Sequence, residues 1–262
     1  MNPAYKGARH LLRLTVLLGL APVLLIVVGA VGTKLGLWGW RFGFGALTVQ
    51  GGSGFAFLGL IAGLAAFYVA AFAGFRRLWP LAAVSLLVPV LVIGGFASLK
   101  AKAKRFSGHD IATNWTPALM FSDRVMALRG PDANPVHADP RSVWNNKQTE
   151  NWLDRRAEVI NAGICPGAKP VRLSGERQAA YARVKAGLAD QGLTLLAENP
   201  DAGAIDAVAE SFWFGFKDDV AARMRPEGGG WIVDLRSVSR VGGSDLGANC
   251  ARVTALSGAI AG

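Results

Sequence analysis

The sequence predicts a membrane protein of the α+β class, with three N-terminal transmembrane helices followed by a soluble domain whose mainly antiparallel sheet is packed by helices. Three observations lead to this prediction. The chain of 262 residues is 52% hydrophobic, which is high for an ordinary soluble domain. Residues 1–105 hold 11 Lys and Arg and no Asp or Glu. The last ninety residues alternate polar and apolar positions as strands do, and end in a helical repeat.

The charge distribution identifies the expected partner. The net charge is +10, but residues 106–262 carry 17 basic and 18 acidic side chains. A nucleic-acid-binding protein concentrates its basic excess on a folded domain, whereas this excess flanks apolar segments. We therefore expect the basic residues to meet lipid headgroups of the bilayer, and we expect no nucleic acid as partner.

Three uncharged segments are long enough to span a bilayer. They cover about residues 14–33, 55–75 and 78–99. A cleaved signal peptide is the competing interpretation of the first segment. The second contains Gly59 and Gly63, a spacing that lets helices approach closely, and the third contains Pro89, where a kink is expected. Because the segments hold no ionisable residue, a proton or ion pathway through them is not expected.

The aromatic residues at 35–52, spaced by glycines, predict an interfacial loop between the first two spans. Three spans place the two ends of the chain on opposite sides of the membrane. The upstream end of the first span is the more basic, which favours a plasma (inner) membrane protein with a cytoplasmic N-terminus and a periplasmic C-terminal domain. The basic cluster at 100–105 argues against this orientation.

The soluble part divides into an irregular connecting region at 106–170, with a short helix over 142–162, and an α+β domain at 171–262. In that domain Ser174 is the expected N-cap of a helix that ends near residue 189. Strands are expected at 193–197, 204–214, 217–225 and 231–239, and a final helix at 246–261.

The last two strands form a hairpin whose register follows from its pattern. Val220, Ala222 and Met224 alternate on one strand, as do Trp231, Val233 and Leu235 on the other. Both sets must face the core, because a slip of one residue exposes one of them. The opposite face then carries the charges, and we expect Arg223 to pair with Asp234 and Asp219 with Arg236.

The sequence WFGFKDDV at 213–220 and the sequence RSVSRVGGSDLGAN at 236–249 resemble the hallmark of the domain-of-unknown-function family numbered 1499. The segment KLGLWGWRFGFG also looks like the one that follows the first helix in membrane-bound relatives. The resemblance implies a domain on the far side of a membrane and no defined activity. The family's opening motif matches at His109 and Asp110, and the sequence then departs from it.

The polar cluster of the hairpin has two interpretations. As a site, Asp218, Asp219, Arg236 and Arg240 are the catalytic candidates, and Asp219, Arg236, Arg240 and Asp245 are the binding candidates. Paired carboxylates can do acid/base work, and arginine side chains bind anions. As structure, the same residues form an ion-pair network that fixes the register and caps the last helix through Ser244 or Asp245. The structural interpretation is favoured, since no nucleophile with a paired histidine accompanies the cluster.

No metal or cofactor is expected, because the three histidines and two cysteines lack ligand spacing. Cys165 and Cys250 are expected as buried free thiols, with a disulfide as the alternative outside the cytoplasm.

For function, the sequence favours a non-enzymatic envelope module that binds a lipid, a hydrophobic metabolite or another membrane protein. The alternative is a membrane-bound hydrolase that acts on an anionic envelope substrate.

Overall fold

The computed structural model describes residues 3–72, 74, 76–106, 108–138 and 157–262. The chain forms two compact units. The first contains Met1–Ala101 together with Phe212–Gly215, and the second contains Lys102–Ser211 and Phe216–Gly262.

The first unit consists of long apolar helices. Helix α1 spans Pro3–Lys34, a π-helical segment Arg41–Gly51 continues into α2 (Gly52–Phe72), and a short 3₁₀ turn Arg76–Leu78 continues into α3 (Trp79–Arg105). Three stretches, Tyr5–Lys34, Arg41–Phe72 and Arg76–Arg105, are long and apolar enough to cross a membrane. The mean hydropathy of an 18-residue window within each is 2.7, 2.2 and 2.3. The three predicted N-terminal apolar helices are therefore confirmed, and each helix extends beyond the predicted apolar segment.

Small residues let these helices approach closely. A Cβ added at Gly59 on α2 would lie 3.1 Å from the Cα of Gly19 on α1 and 3.1 Å from Cγ of Pro89 on α3. A Cβ at Gly63 would lie 2.6 Å from the carbonyl oxygen of Ser85. The close approach predicted from the GxxxG spacing is thus confirmed, because α2 has no room for side chains at these two positions.

The interfacial loop predicted at 35–52 is wrong for most of its length. Residues 41–51 form the π-helical segment, so the second span starts at Arg41. The hydrocarbon core supplies no hydrogen-bond partners, and a helix satisfies the backbone of a glycine-rich segment internally. The hydroxyl of buried Thr48 donates to the carbonyl oxygen of Gly43 at 2.9 Å, which reinforces this segment.

The second unit contains one six-stranded antiparallel sheet. Its strands are β1 (Asp110–Ala112), β2 (Val171–Leu173), β3 (Thr194–Asn199), β4 (Ala204–Glu210), β5 (Lys217–Glu227) and β6 (Gly230–Ser239). The order is β1-β6-β5-β4-β3, and β2 pairs with β6 beside β1. The four predicted strands are β3 to β6, and the predicted α+β class is confirmed.

Helices cover one face of the sheet. Helix α5 spans Ala157–Ile164, α6 spans Arg177–Asp190 and α7 spans Ala248–Ala261. Val184 of α6 and Leu256 of α7 join Val220, Ala222 and Leu235 of the hairpin in the main core. The register pairs Ala222 with Leu235, so the predicted alternation of the hairpin is confirmed.

The other face of the sheet is covered by the chain between β1 and residue 138, which we name the covering segment. This segment includes the short helix α4 (Asp123–Leu128). Phe121 and Val125 pack on Ala221 of β5 and Val238 of β6, and all four side chains are buried. Part of the predicted irregular connecting region is therefore a layer of the domain.

Several predicted boundaries are wrong. Helix α6 starts at Arg177 after Glu176, without a side-chain cap from Ser174. Strand β4 ends at Glu210 instead of residue 214. Helix α7 starts at Ala248 because Leu246 and Gly247 have φ values of 57° and 85°, which a right-handed helix cannot accommodate. The short helix predicted over 142–162 falls on residues 142–156, which lie outside the described residues, and on α5.

Candidate functional site

The candidate residues lie on the charged face of the hairpin and at its exit. Asp218 and Asp219 belong to β5, Arg236 belongs to β6, Arg240 follows β6, and Asp245 precedes α7. Ion pairs and hydrogen bonds with the covering segment and with α7 occupy all five side chains. They form three separate groups rather than one open site.

The first group surrounds Asp219, which is completely buried. Arg240 donates to it from Nε at 3.1 and 3.0 Å and from Nη2 at 2.7 Å. Arg129, at the end of α4, donates from Nη1 at 2.5 Å and also binds the carbonyl oxygen of Asn134 at 2.7 Å. Burial lowers the pKa of Arg129, and the Asp219 carboxylate opposes that effect. Asp219 thus joins the hairpin to the covering segment.

The second group is a bidentate pair between Arg236 and Asp110 of β1. Arg236 Nε donates to Oδ1 at 2.9 Å and Nη2 to Oδ2 at 2.7 Å, and the two side chains are 0% and 2% exposed. The guanidinium also donates to the carbonyl oxygens of Leu119 at 2.5 Å and His137 at 3.0 Å. It lies 5.0 Å from the ring centroid of Trp115. These contacts enclose the Arg236 side chain on all sides.

The third group lies at the start of α7. Asp218 accepts from Arg252 at 2.8 Å, and Arg252 also donates to Asn249 at 2.6 Å. Asp245 accepts the backbone N–H groups of Gly247 and Asn249, each at 2.7 Å. Loss of solvation raises the pKa of the Asp245 carboxyl group, while these two hydrogen bonds oppose the rise. The N-cap residue of α7 is Gly247 rather than Ser244 or Asp245, and the Asp245 carboxylate binds the N–H groups at the helix start from two residues earlier.

The Asp245 carboxylate also decides whether the glycine-rich turn at 242–247 can bind an anion. A helix N-terminus binds an external anion through free backbone N–H groups. At α7 the Asp245 carboxylate already accepts two of these groups.

The two predicted cross-strand ion pairs do not form. Arg223 and Asp234 lie opposite each other in register, but Arg223 donates to Asp206 at 2.8 Å and Arg225 donates to Asp234 at 3.0 Å. Asp219 and Arg236 are diagonal neighbours that bind Arg129, Arg240 and Asp110 instead. The first pair is replaced by partners on neighbouring strands, namely Asp206 on β4 and Arg225 on β5. The second is replaced by partners outside the hairpin strands.

His109 precedes the Asp110 pair and is partly buried. Its carbonyl oxygen accepts from Ser239 at 2.8 Å and from Asn249 Nδ2 at 3.1 Å. Burial lowers the pKa of its imidazole, with nearby Asp110 acting in the opposite sense.

The described ranges contain no group of three His, Cys, Asp or Glu side chains that could hold a metal ion. A shallow surface depression of about 500 Å³ lies at the opposite end of the hairpin, at the β5–β6 turn. Trp231 and Arg177 line it together with the glycines 228–230. The charged candidates do not contribute to it.

Cys165 and Cys250 form a disulfide with an S–S distance of 2.07 Å, so the prediction of two free thiols is wrong. The end of α5 and the start of α7 lie against the same core and bring the two Cα atoms to 5.5 Å, within bonding range. The bond joins residues 85 positions apart.

Sequence reasoning missed the partners of the candidate residues, namely Asp110, Arg129 and Arg252. The HDI motif pointed to Asp110, whereas the sequence pattern around Arg129 and Arg252 did not mark either arginine as a partner.

The candidate residues lie within a segment that is similar to a known family. Residues 132–260 match the family model described as Protein of unknown function (DUF1499). This match covers β2 to β6, α5 to α7 and all five candidate residues, and it starts after Asp110 and Arg129. No curated protein matches the chain.

Proposed function

We propose that this chain, whose residues 132–260 match the model of the DUF1499 family, is a non-enzymatic binding or scaffold module anchored in the membrane. It presents a folded α+β domain that binds a lipid, a hydrophobic metabolite or another membrane protein. Three apolar helices without Asp, Glu, Lys, Arg or His in their central spans supply the anchor.

The pairing of the charged signature residues carries this proposal. Asp219 and Arg236 are both 0% exposed, and each binds partners within the domain. A catalytic carboxylate must reach a proton of the substrate within hydrogen-bond distance. A buried carboxylate held by two guanidinium groups has no such access, so these residues serve the fold.

The alternative, hydrolysis of an anionic envelope substrate, requires Arg129, Arg236 or Arg240 to exchange its internal partner for the substrate. Of these three, Arg240 is the most open, with 13% of its side chain exposed. An Arg240→Lys variant keeps the charge and removes the two-pronged guanidinium group. If that variant stays folded and loses a hydrolytic activity of the wild type, the alternative replaces our proposal.

We infer that the domain stands on the periplasmic side of the plasma membrane. The disulfide supports this location, since such bonds persist outside the reducing cytoplasm. The odd number of spans and the basic residues before the first span agree with it. A C-terminal alkaline phosphatase fusion is then expected to be active and a green fluorescent protein fusion dark. A fluorescent fusion with an inactive phosphatase would reverse the orientation.

Native mass spectrometry of the full-length protein, extracted gently from its own membranes, tests the binding function. We expect a defined lipid, metabolite or partner chain to remain bound and to survive a change of detergent. A bare protein that hydrolyses an anionic envelope substrate is the result that contradicts the proposal.

A further inference from the structure

The connection between β4 and β5 is a closed aromatic loop. The Ser211 N–H donates to the Phe216 carbonyl oxygen at 2.8 Å, and the Phe216 N–H donates to the Ser211 hydroxyl at 2.9 Å. Gly215 has a φ of +66°, which lets the chain turn back. The four residues Phe212–Gly215 therefore form an ordered tip.

This tip presents large apolar side chains to its surroundings. Phe212 is 76% exposed and Trp213 is 63% exposed, and their rings meet edge to face at 5.3 Å. Aromatic side chains of this size are normally covered by protein or by lipid. The hydrogen bonds at the base of the loop hold them outward.

The tip belongs to the same compact unit as the membrane helices. Lys34 Nζ donates to the Phe212 carbonyl oxygen at 2.6 Å and lies 4.8 Å from the centroid of its ring. Phe214 meets Phe44 edge to face at 5.2 Å. Lys34 is the last residue of the stretch Tyr5–Lys34, so it marks one end of the first span.

We propose that the tip Phe212–Gly215 is a membrane-interface anchor, with the Phe212 and Trp213 side chains in the headgroup region of the lipid bilayer. The occupant of this apolar surface is lipid. The inference deepens the proposed membrane-anchored function and rests on it, because it identifies the bilayer surface as a partner of the signature sequence.

The position of Lys34 favours lipid over protein as the occupant. A lysine at the end of a transmembrane helix places its ammonium group at the headgroup level. Tryptophan is enriched at that depth, because its ring is apolar and its N–H is polar. Trp213 lies next to the residue that Lys34 binds, at the depth where such a side chain is most stable.

The test uses the full-length chain in nanodiscs. A Trp213→Cys variant provides a single reactive thiol, because the two native cysteines form the disulfide, and it is labelled without reductant with an environment-sensitive fluorophore. Nitroxide groups on the lipid, either near the headgroup or at mid-bilayer, then report the depth of the label. Ala182→Cys, at an exposed position of α6, is the matched control.

We expect the label at 213 to be quenched severalfold more strongly by the shallow nitroxide than by the deep one, and the label at 182 to be unaffected. A label at 213 that is quenched no more than the control overturns the proposal. A label at 213 that a partner chain shields from lipid also overturns the proposal. If Trp213→Cys lowers the yield of folded protein, Phe212→Cys repeats the measurement. Ligand retention in native mass spectrometry is independent of this quenching, so failure of the anchor and failure of the binding function are distinguishable.

Discussion

Replacing Arg236 with methionine tests whether the signature charges are structural. The substitution keeps most of the side-chain length and removes the guanidinium. It leaves the Asp110 carboxylate buried without its fork, and it leaves the carbonyl oxygens of Leu119 and His137 without their donor. We therefore expect a severe loss of stability rather than a local effect.

The magnitude follows from burial, since the Arg236 and Asp110 side chains are 0% and 2% exposed. Removing one partner of a buried ion pair costs about 3–5 kcal/mol. For a domain of this size each kcal/mol lowers the melting temperature by about 2–4 °C, so the shift is roughly 6–20 °C. This loss is a large part of the total stability of a typical domain, about 5–15 kcal/mol.

The assay is thermal unfolding of the full-length protein in nanodiscs, followed by tryptophan fluorescence. Arg172→Met is the matched control, because Arg172 pairs with Glu227 on the surface and is 75% exposed. An exposed pair contributes about 0–1 kcal/mol. If Arg236→Met and the control have the same melting temperature, the buried pair does not stabilise the domain. The structural role of Arg236 is then refuted.

Three further outcomes are expected. Cys165→Ala combined with Cys250→Ala lowers the free energy of unfolding by roughly 2–5 kcal/mol, because the bond closes a loop of about 85 residues in the unfolded chain. Denaturant titration of the wild type with and without reductant, and of the variant, measures this loss. Equal unfolding curves contradict it. The pKa of His109 is depressed in the folded state, so its contribution to stability is present above its unfolded pKa and is lost as the pH falls through the folded value. Between neutral and mildly acidic pH, the melting temperature should fall less steeply for His109→Gln than for the wild type. If the two proteins show parallel profiles, His109 does not contribute to the pH dependence. Gly63→Val forces α2 away from Ser85 on α3 and destabilises the helix packing by about 1–3 kcal/mol. The control Gly54→Ala lies in open space and should leave the resistance of the helices to unfolding by detergent unchanged. Equal resistance of the two variants would refute the close packing.

The hairpin was predictable because its alternation has only one arrangement that buries both apolar sets. Val220 and Leu235 could not both reach the core after a slip of one residue. The three spans were predictable for a similar reason, since a long uncharged segment is stable mainly in hydrocarbon. Local pattern and burial therefore specify the class of the fold and the faces of the sheet.

The partners of the buried charges were not predictable. Alternation assigns a charge to a face and does not say what approaches that face. Arg236 meets Asp110 across 126 positions, and Asp219 meets Arg129 across 90. Both partners lie in a segment with weak periodicity, so periodicity could not predict that this segment packs on the sheet. The pairing of Cys165 with Cys250 depends in the same way on two helices that meet only in the folded core.

The redox state of Cys165 and Cys250 in living cells tests the central claim most directly, namely that this domain is folded outside the cytoplasm. Cells are quenched in acid, and free thiols are alkylated before and after reduction with reagents of different mass. We predict that both cysteines react only after reduction, because the disulfide is intact where the domain resides. Alkylation of both cysteines before reduction would place the domain in the cytoplasm and contradict the account.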